Sequence, residues 1–409
     1  QRQGFQIPLM IGGATTSPRH TAIKIAPHYQ GISVYVPDAS RAATVASRLA
    51  DPQSRSEYAK ELTREQAELR ENYHNQNAKR PYCSLEEARR QRLRCEWQSP
   101  PPARPKQTGI QILKDIPLQA LSEYIDWTPF FLAWELKGRF PQILEDPKRG
   151  VEARKLWNDA QKLLTKLSDN KAISAEALCG IFPANAVDLD DIEIYRDESR
   201  TDLVARLCTL RQQHEPLPGR PNLALADFVA PKTEAPDYIG AFIVTAGLGV
   251  DELAAQYKKN LDEYGMILLE ALADRLAEAL AEYLHARVRR EYWGYAPEEA
   301  LTPSELLAGK YRGIRPAPGY PACPDHAQKQ LIFDLLDAPK HSRVTLTENY
   351  ALHPAASIAG WYLAHPQARY FNLGRILPDQ AADYAHRLGS CVEEVEKRLA
   401  PQLNFAGIQ

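Results

Sequence analysis

Beyond residue 107, strand and helix signals follow one another without the regular alternation that a parallel sheet requires. Residues 191–195 alternate polar and apolar side chains, and residues 238–244 form an apolar run bounded by turn residues, so both segments predict strands. Residues 265–292 carry leucines at every fourth position and predict one long helix. Because long helices stand between strands with no repeating strand–helix–strand unit, the pattern predicts an α+β fold and not a Rossmann repeat.

The first 50 residues alternate strand and helix signals more regularly. Apolar runs at 7–11 and 32–36 predict strands, and Ser17 followed by Pro18 predicts the N-cap and first position of a short helix. A second helix is expected to follow the second strand. Two strands and two helices are too few for a doubly wound domain, so we expect residues 1–50 to be the last part of a Rossmann-like α/β domain.

Residues 51–106 differ in composition from both neighbouring segments. They are rich in Arg, Glu and Gln with sparse Leu and Tyr, and they end in a proline cluster at 100–105. This composition predicts an exposed helical linker followed by a stiff spacer. The arginines are most simply a solvated face, with partner binding as the alternative. Residues 107–409 then predict one large domain.

The C-terminal region carries two helix signals. Leu377-Pro378 predicts the start of a helix that Gly389 closes. Ser390 and Glu393 have the spacing of a capping box, which predicts that the last helix starts at Ser390.

Composition excludes some classes of partner. The chain of 409 residues has a formal net charge of −2, whereas a nucleic-acid-binding domain is usually strongly basic. No apolar run approaches the roughly 20 residues needed to cross a bilayer, and the first residues lack the features of a signal peptide. The six cysteines stand far apart without a C-x-x-C pair, which predicts reduced thiols and a cytoplasmic protein.

Residues 315–321, RPAPGYP, place three prolines and a glycine around one arginine, Arg315, and one tyrosine, Tyr320. Proline fixes φ and lacks an N–H, so this segment must be a loop of nearly predetermined shape. One interpretation is a structural turn; the other is a ligand clamp with Arg315 as the anion anchor and Tyr320 as a stacking face. The sequence contains no phosphate-binding loop motif, zinc-protease motif or nucleophile elbow, so spacing alone identifies no catalytic residue.

Several unusual stretches, taken in order, resemble the C-terminal part of cobalamin-dependent methionine synthase. They are IDWTPFF at 125–131, FPAN at 182–185, IEIYRDE at 192–198, ADRLAEALAEYLH at 273–285 and RPAPGYPACP at 315–324. The resemblance extends through essentially the whole chain. It implies the end of a cobalamin-binding domain at residues 1–50 and an activation domain at 107–409, with a mainly antiparallel sheet flanked by long helices.

The resemblance implies that the activation domain binds S-adenosylmethionine. Arg315 would hold the methionine carboxylate with its planar fork of donors, and Tyr320 would lie beside the sulfonium. Ala317 and Gly319 would allow the backbone to approach the ligand closely. Asp126 would accept hydrogen bonds from the ribose hydroxyls or pair with the amino group; the residues alone instead suggest a helix N-cap at this position.

Three further ligand-binding residues follow from the resemblance. Glu278 corresponds to an acidic position near the ligand, and Tyr370 and Phe371 correspond to an aromatic pair that receives the adenine. The residues alone support simpler interpretations. Glu278 stands in a helical row with Asp274 and Glu282, which suggests a solvated face, and the two aromatic residues would be assigned to a core strand.

In the N-terminal segment, Gly12, Gly13 and Ala39 correspond to positions that line the nucleotide tail of cobalamin. Glycines after a strand also suit a simple turn. The family's cobalt-coordinating histidine belongs to a D-x-H-x-x-G motif that this sequence lacks. The zinc cysteines of the homocysteine domain and the methyltetrahydrofolate barrel are likewise missing, so we expect no metal ligand in this chain.

The implied function is reactivation of the enzyme. S-adenosylmethionine would donate a methyl group in the reductive methylation of cob(II)alamin, and a flavodoxin-like protein or flavoprotein reductase would supply the electron. We expect this chain to bind S-adenosylmethionine without turning over alone. One alternative is a docking module for the electron donor and the cobalamin domain, with little ligand binding. Another is a free-standing methyltransferase, although no general base is evident beside the RPAPGYP loop.

Overall fold

The computed structural model describes residues 7–12, 17–29, 31–36, 39–77, 81–215 and 219–404. The chain divides into two compact units, Gln1–Tyr82 and Cys83–Gln409. Within the described residues, no helix is both long enough and apolar enough to cross a membrane.

Among its described residues, the first unit combines two short parallel strands with three α-helices, besides a short π-helix (Thr21–Ile25) and a 3-10 helix (Ala26–His28). In chain order its elements are β1 (Leu9–Ile11), α1 (Pro18–His20), β2 (Ser33–Tyr35), α2 (Ala39–Ala50) and α3 (Pro52–Asn77). β1 pairs with β2, so both predicted strands are confirmed at shorter lengths. Ser17 caps α1 by accepting a hydrogen bond from the His20 amide at 3.1 Å, also as predicted. A cluster of buried apolar side chains holds the unit together: Val34, Val36, Leu49, Tyr58 and Leu62.

The second unit contains the remaining strands and α-helices of the described residues. In chain order they are α4 (Leu85–Arg90), β3 (Gly109–Leu113), α5 (Leu118–Ser122), α6 (Trp127–Ala133), α7 (Gly150–Asp169), β4 (Ser174–Val187), β5 (Asp191–Tyr195), β6 (Leu203–Cys208), β7 (Asp237–Leu248), α8 (Val250–Lys259), α9 (Glu263–Arg287), α10 (Pro303–Leu307), α11 (Gln328–Leu335), α12 (Ala338–His341), β8 (Thr345–Leu346), β9 (Leu352–His353), β10 (Ser357–Tyr362), α13 (Pro378–Leu388) and α14 (Val392–Arg398). The two strands and the long helix predicted after residue 107 are therefore confirmed.

The main sheet of the second unit is antiparallel throughout. Its strand order is β10-β7-β4-β5-β6, and β3 pairs with the first part of β4. The long strand β4 is shared along one edge by β3 and β5, because β3 pairs with residues 177–181 and β5 with residues 184–187. This arrangement confirms the predicted α+β fold with a mainly antiparallel sheet.

Helices cover both faces of this sheet. Phe242 and Val244 of β7 face a core that includes the leucines of α9, whereas Ala241 and Ile243 face a second core that includes Ile332 of α11. Successive side chains of a strand point to opposite faces, so a strand covered on both sides is apolar at every position. This explains why β7 appears in the sequence as a continuous apolar run.

The segment before β3 lies on the second unit. The Leu85 amide donates to Asp379 Oδ2 at 2.7 Å, and Arg89 pairs with the buried Asp190 at 2.6 Å. Trp97 is buried and its ring lies 4.6 Å from that of His365. Residues 83–106, which form the second half of the predicted linker, therefore contribute to the core of this unit.

The two C-terminal helices confirm one capping prediction and correct another. α13 starts at Pro378 and ends at Gly389, which has a φ of +64°. The predicted capping box is wrong, because α14 begins at Val392 with Cys391 as its N-cap and no side-chain cap. The Ser390 amide donates to the Ala385 carbonyl at 3.0 Å, so this residue belongs to the end of α13.

Candidate functional site

The second unit contains a cavity of about 440 Å³ between α9, the RPAPGYP loop and the chain after β10. Its walls are mainly apolar and aromatic, with a few polar groups. The lining residues are Phe242, Glu278, Ala281, Arg315, Pro316, Ala317, Tyr320, Pro321, Ala322, Ile358, Tyr370, Phe371 and Asn372. An apolar cavity with a few convergent polar groups is typical of small-molecule sites.

Backbone hydrogen bonds hold the RPAPGYP loop on both sides. Before the loop, Ile314 and Leu363 exchange hydrogen bonds of 2.9 and 3.0 Å, and the Trp361 amide donates to the Pro316 carbonyl at 2.9 Å. At the other end, the Gly319 amide donates to the Cys323 carbonyl at 2.7 Å. The loop is thus fixed to β10 and closed on itself, which holds the side chains of its two ends in place.

Gly319 is required by the fold of the loop itself. Its φ is +98°, and a Cβ atom at this position would lie 2.3 Å from the His326 ring. Either feature alone disfavours any other residue. Gly319 does not line the cavity as the described residues define it, so its predicted contact with a ligand stays a prediction.

Arg315 presents only part of its guanidinium to the cavity. Its Nη1 donates to Glu282 Oε2 at 2.7 Å and to the Tyr311 hydroxyl at 2.6 Å. Nε and Nη2 donate to no atom of the described part of the chain. Burial alone would lower the pKa of this guanidinium, but the Glu282 carboxylate raises it above its usual value. A charged fork with two free donor atoms therefore faces the cavity.

Glu278 also lines the cavity and has no polar partner among the described residues. It is half-buried and stands one helical turn before Glu282 on α9. The interpretation of this row as a solvated face is wrong for Glu282, which is only 4% exposed. The physical reason is that α9 has apolar residues on every side and is buried almost all round, which the leucine spacing alone does not indicate.

Aromatic side chains form part of the cavity wall. Tyr320 and Tyr370 are 57% and 55% exposed, and Phe371 is half-buried beside Phe228 with ring centroids 6.5 Å apart. The Tyr370 hydroxyl accepts a hydrogen bond from the Arg315 amide at 3.0 Å. Tyr370 and Phe371 lie in irregular chain after β10, so their assignment to a core strand is wrong. The aromatic rings and the Arg315 fork therefore belong to one site.

Asp126 acts as the N-cap of α6, as its sequence context suggested. Its Oδ1 accepts a hydrogen bond from the Thr128 amide at 2.9 Å. Asp126 does not line the cavity as the described residues define it, so its contact with a ligand stays a prediction. Ala317 does line the cavity, between Pro316 and the tyrosine of the loop.

The three residues expected at cobalamin are described only in part. Gly13 lies outside the described residues. A Cβ atom on Gly12 would lie 3.1 Å from the Val36 carbonyl oxygen, so Gly12 packs closely against the chain just after β2. Ala39 is the first residue of α2. The contacts of these three residues with cobalamin therefore stay predictions.

Sequence reasoning missed two groups of residues. The apolar lining from Phe242, Ala281 and Ile358 comes from a strand, a helix and another strand, and no local pattern marks it. Glu282 and Tyr311, which hold Arg315, were also missed. A signal for Glu282 existed, because alanines and leucines surround it on α9 and predict a helix that is buried all round.

Two comparisons with known proteins show what this chain is similar to. Residues 117–389 match the sequence model of a family described as vitamin B12 dependent methionine synthase, activation domain. The fold is also similar to a crystal structure of the MetH reactivation domain bound to AdoHcy, with a TM-score of 0.77 and 50% sequence identity. That similarity covers 80% of this chain and 99% of the other. The chain therefore belongs to the family of the activation domain of vitamin B12-dependent methionine synthase.

Proposed function

We propose that the cavity beside Arg315 binds S-adenosylmethionine as the methyl donor for reactivation of the enzyme's cobalamin. The similar MetH reactivation domain is bound to AdoHcy, which is S-adenosylmethionine without its methyl group. At 50% identity, a shared binding mode is the simplest expectation.

The observation that carries this proposal is the pair of opposite charges at one cavity. The free Nε and Nη2 atoms of Arg315 suit a carboxylate, since a guanidinium edge binds two oxygens at once. Glu278 lines the same cavity without a partner among the described residues and suits an ammonium group. An amino-acid moiety carries both groups on one carbon, so it satisfies both residues together.

The aromatic residues that line the cavity suit the adenine and the sulfonium of the ligand. Tyr370 and Phe371 offer ring faces and edges for the adenine, and Tyr320 offers a face beside which a sulfonium is favoured. The cavity volume of about 440 Å³ lies within the usual range of ligand sites, roughly 300 to 1,000 Å³.

The work of this chain in the reaction is orientation. Methyl transfer would break the bond between the methyl carbon and sulfur and leave its electron pair on sulfur. The methyl carbon would form its new bond to cobalt with an electron pair that becomes available once a flavodoxin-like or flavoprotein donor has supplied one electron. Arg315 and Glu278 would fix one end of the ligand while the aromatic residues fix the other.

We further propose that the chain does not complete this methyltransferase reaction alone. The acceptor would be cobalamin held by the cobalamin-binding domain of the same enzyme, to which the parallel strands of the first unit would belong. The assignment of residues 51–106 as a linker stays a prediction. All six cysteines are free, which fits a reducing compartment such as the cytoplasm.

Calorimetric titration with S-adenosylmethionine tests the proposal, run on the wild-type chain and on Arg315→Ala. Loss of a charge-assisted contact is expected to weaken binding by roughly 1.5 to 3 kcal/mol, or about tenfold to 150-fold. Arg343→Ala is the matched control, because Arg343 also pairs with a buried glutamate but does not line the cavity. If the wild type binds no S-adenosylmethionine, the proposal fails and a docking module becomes the better interpretation.

A further inference from the structure

Glu282 is a buried carboxylate that makes its shortest contact with the cavity arginine. It is 4% exposed, and its Oε2 accepts from Arg315 Nη1 at 2.7 Å. The Tyr311 hydroxyl accepts from the same Nη1 at 2.6 Å and donates to Glu282 Oε2 at 3.3 Å. The three groups form a closed triangle, so one guanidinium nitrogen has a fixed position.

A second ion pair lies behind this triangle. Arg289 is fully buried, and its Nη1 lies 3.7 Å from Glu282 Oε1. The same guanidinium donates to Glu299 from Nη2 at 2.7 Å and from Nε at 2.9 Å. The charges therefore alternate in the order Arg315, Glu282, Arg289, Glu299. Each buried cation has a carboxylate partner, which is the condition under which charges persist in an interior.

The geometry of Arg315 follows from this arrangement. Because Nη1 is held from the protein side, the opposite edge, Nε and Nη2, is the edge left for the cavity. A free arginine side chain has several rotatable bonds, and ordering it during binding costs affinity. Because Glu282 and Tyr311 hold the Arg315 guanidinium before the ligand binds, part of that ordering cost is removed.

We propose that Glu282 is a positioning residue that orients Arg315 toward the carboxylate of the bound ligand, with Tyr311 as its support. The proposal rests on the proposed function, because it needs a carboxylate-bearing ligand in the cavity. Glu282 itself does not touch that ligand; it acts through the arginine. Its effect is therefore confined to the part of the ligand that Arg315 binds.

Two ligands separate positioning from general support of the fold. S-adenosylhomocysteine carries the amino-acid carboxylate, whereas 5′-methylthioadenosine keeps the adenosine and the sulfur but lacks the amino acid. For Glu282→Gln, calorimetry should give an affinity for S-adenosylhomocysteine that is about tenfold lower. The affinity for 5′-methylthioadenosine should stay within about twofold of wild type, since Arg315 has nothing to bind in it.

Glu176→Gln is the matched control for this change. Glu176 is also buried, and it accepts from Arg343 Nη2 at 2.7 Å, but it does not line the cavity. The change thus removes the charge of another buried glutamate that pairs with an arginine, elsewhere in the second unit. This control should leave the affinity for both ligands at the wild-type value.

Tyr311→Phe keeps the experiment decisive if Glu282→Gln does not fold. It removes one hydroxyl and leaves every charge in place. We expect an affinity loss of about threefold for S-adenosylhomocysteine and none for 5′-methylthioadenosine. Equal losses for the two ligands, or no loss in either variant, would overturn the positioning role while wild-type binding leaves the proposed function intact. If the wild type binds neither ligand, both proposals fall.

Discussion

At the scale of single residues, the two charged side chains that line the cavity lack some or all of their hydrogen-bond partners in the described residues. Arg315 has one nitrogen held by the protein. Among the described residues, its other two donor atoms have no partner, and neither has Glu278. Such incompletely paired groups cost stability unless a ligand completes them. Gly319 shows the opposite case, because the loop alone already explains it.

Gly319→Ala should damage the loop through both strain and a clash. A Cβ at a φ of +98° and 2.3 Å from the His326 ring is expected to lower the free energy of unfolding by about 2 to 4 kcal/mol. Gly309→Ala is the matched control, since Gly309 has a φ of +65° with nothing within 4 Å of its Cβ position. Urea unfolding should give a loss of only about 1 kcal/mol there. Equal losses would mean that the His326 contact does not matter.

At the scale of elements, α9 carries two acidic residues with different roles. Glu278 and Glu282 are one turn apart, but Glu278 faces the cavity and Glu282 faces a buried arginine. The segment before β3 also matters at this scale, because it packs against the chain that follows β10. There, Trp97 lies against His365 in the interior of the second unit.

The stability contribution of His365 should depend on pH. Burial, aided by the Arg312 guanidinium, lowers the pKa of this imidazole from 6.5 to about 4. Between these values the unfolded chain binds a proton that the folded chain does not, so the contribution is full above pH 6.5 and is lost as the pH falls toward 4. The destabilisation caused by His365→Gln should therefore be smaller at pH 5 than at pH 7, by about 1 kcal/mol once solvent screening is allowed for.

Urea unfolding at the two pH values measures this difference. His353→Gln is the control, because the His353 side chain is 61% exposed and its replacement should change stability little at either pH. Comparing each variant with wild type at the same pH also removes the opposing contribution of Asp237. Burial raises the pKa of that carboxyl to about 7, so its contribution falls as the pH rises. A His365→Gln effect that is equal at both pH values would contradict the prediction.

At the scale of the whole molecule, the cavity belongs to one unit. Every residue that lines it lies within Cys83–Gln409. The elements that hold Arg315 in place lie there as well. Ligand binding should therefore not need the first unit.

A chain of residues 83–409 is expected to bind S-adenosylmethionine within about twofold of the full chain. A chain of residues 107–409, which starts at the predicted domain boundary, would lose the buried Leu85, Ala88 and Trp97 and the Arg89 partner of Asp190. We expect its thermal midpoint to be about 10 °C lower, because several kcal/mol of packing are removed. Differential scanning calorimetry of both chains measures this; equal midpoints would support the boundary at residue 107.

Part of this protein follows from its sequence alone. The strands, the long helix, the stiff RPAPGYP loop and the α+β class come from local patterns, because periodicity and proline act over a few residues. The N-cap at Asp126 is local in the same way. The resemblance to methionine synthase was likewise recognised from short sequence stretches and their order along the chain.

Only the tertiary structure decided how the charged residues pair. Glu282 meets Arg315 from 33 positions away, and the pairing depends on how α9 packs against the sheet beside the loop. A carboxylate on a helix can equally face water or a buried arginine, and its own neighbours in sequence do not distinguish these outcomes. Long-range packing sets which of them occurs, and here it places one glutamate of α9 at the cavity and the next behind the arginine.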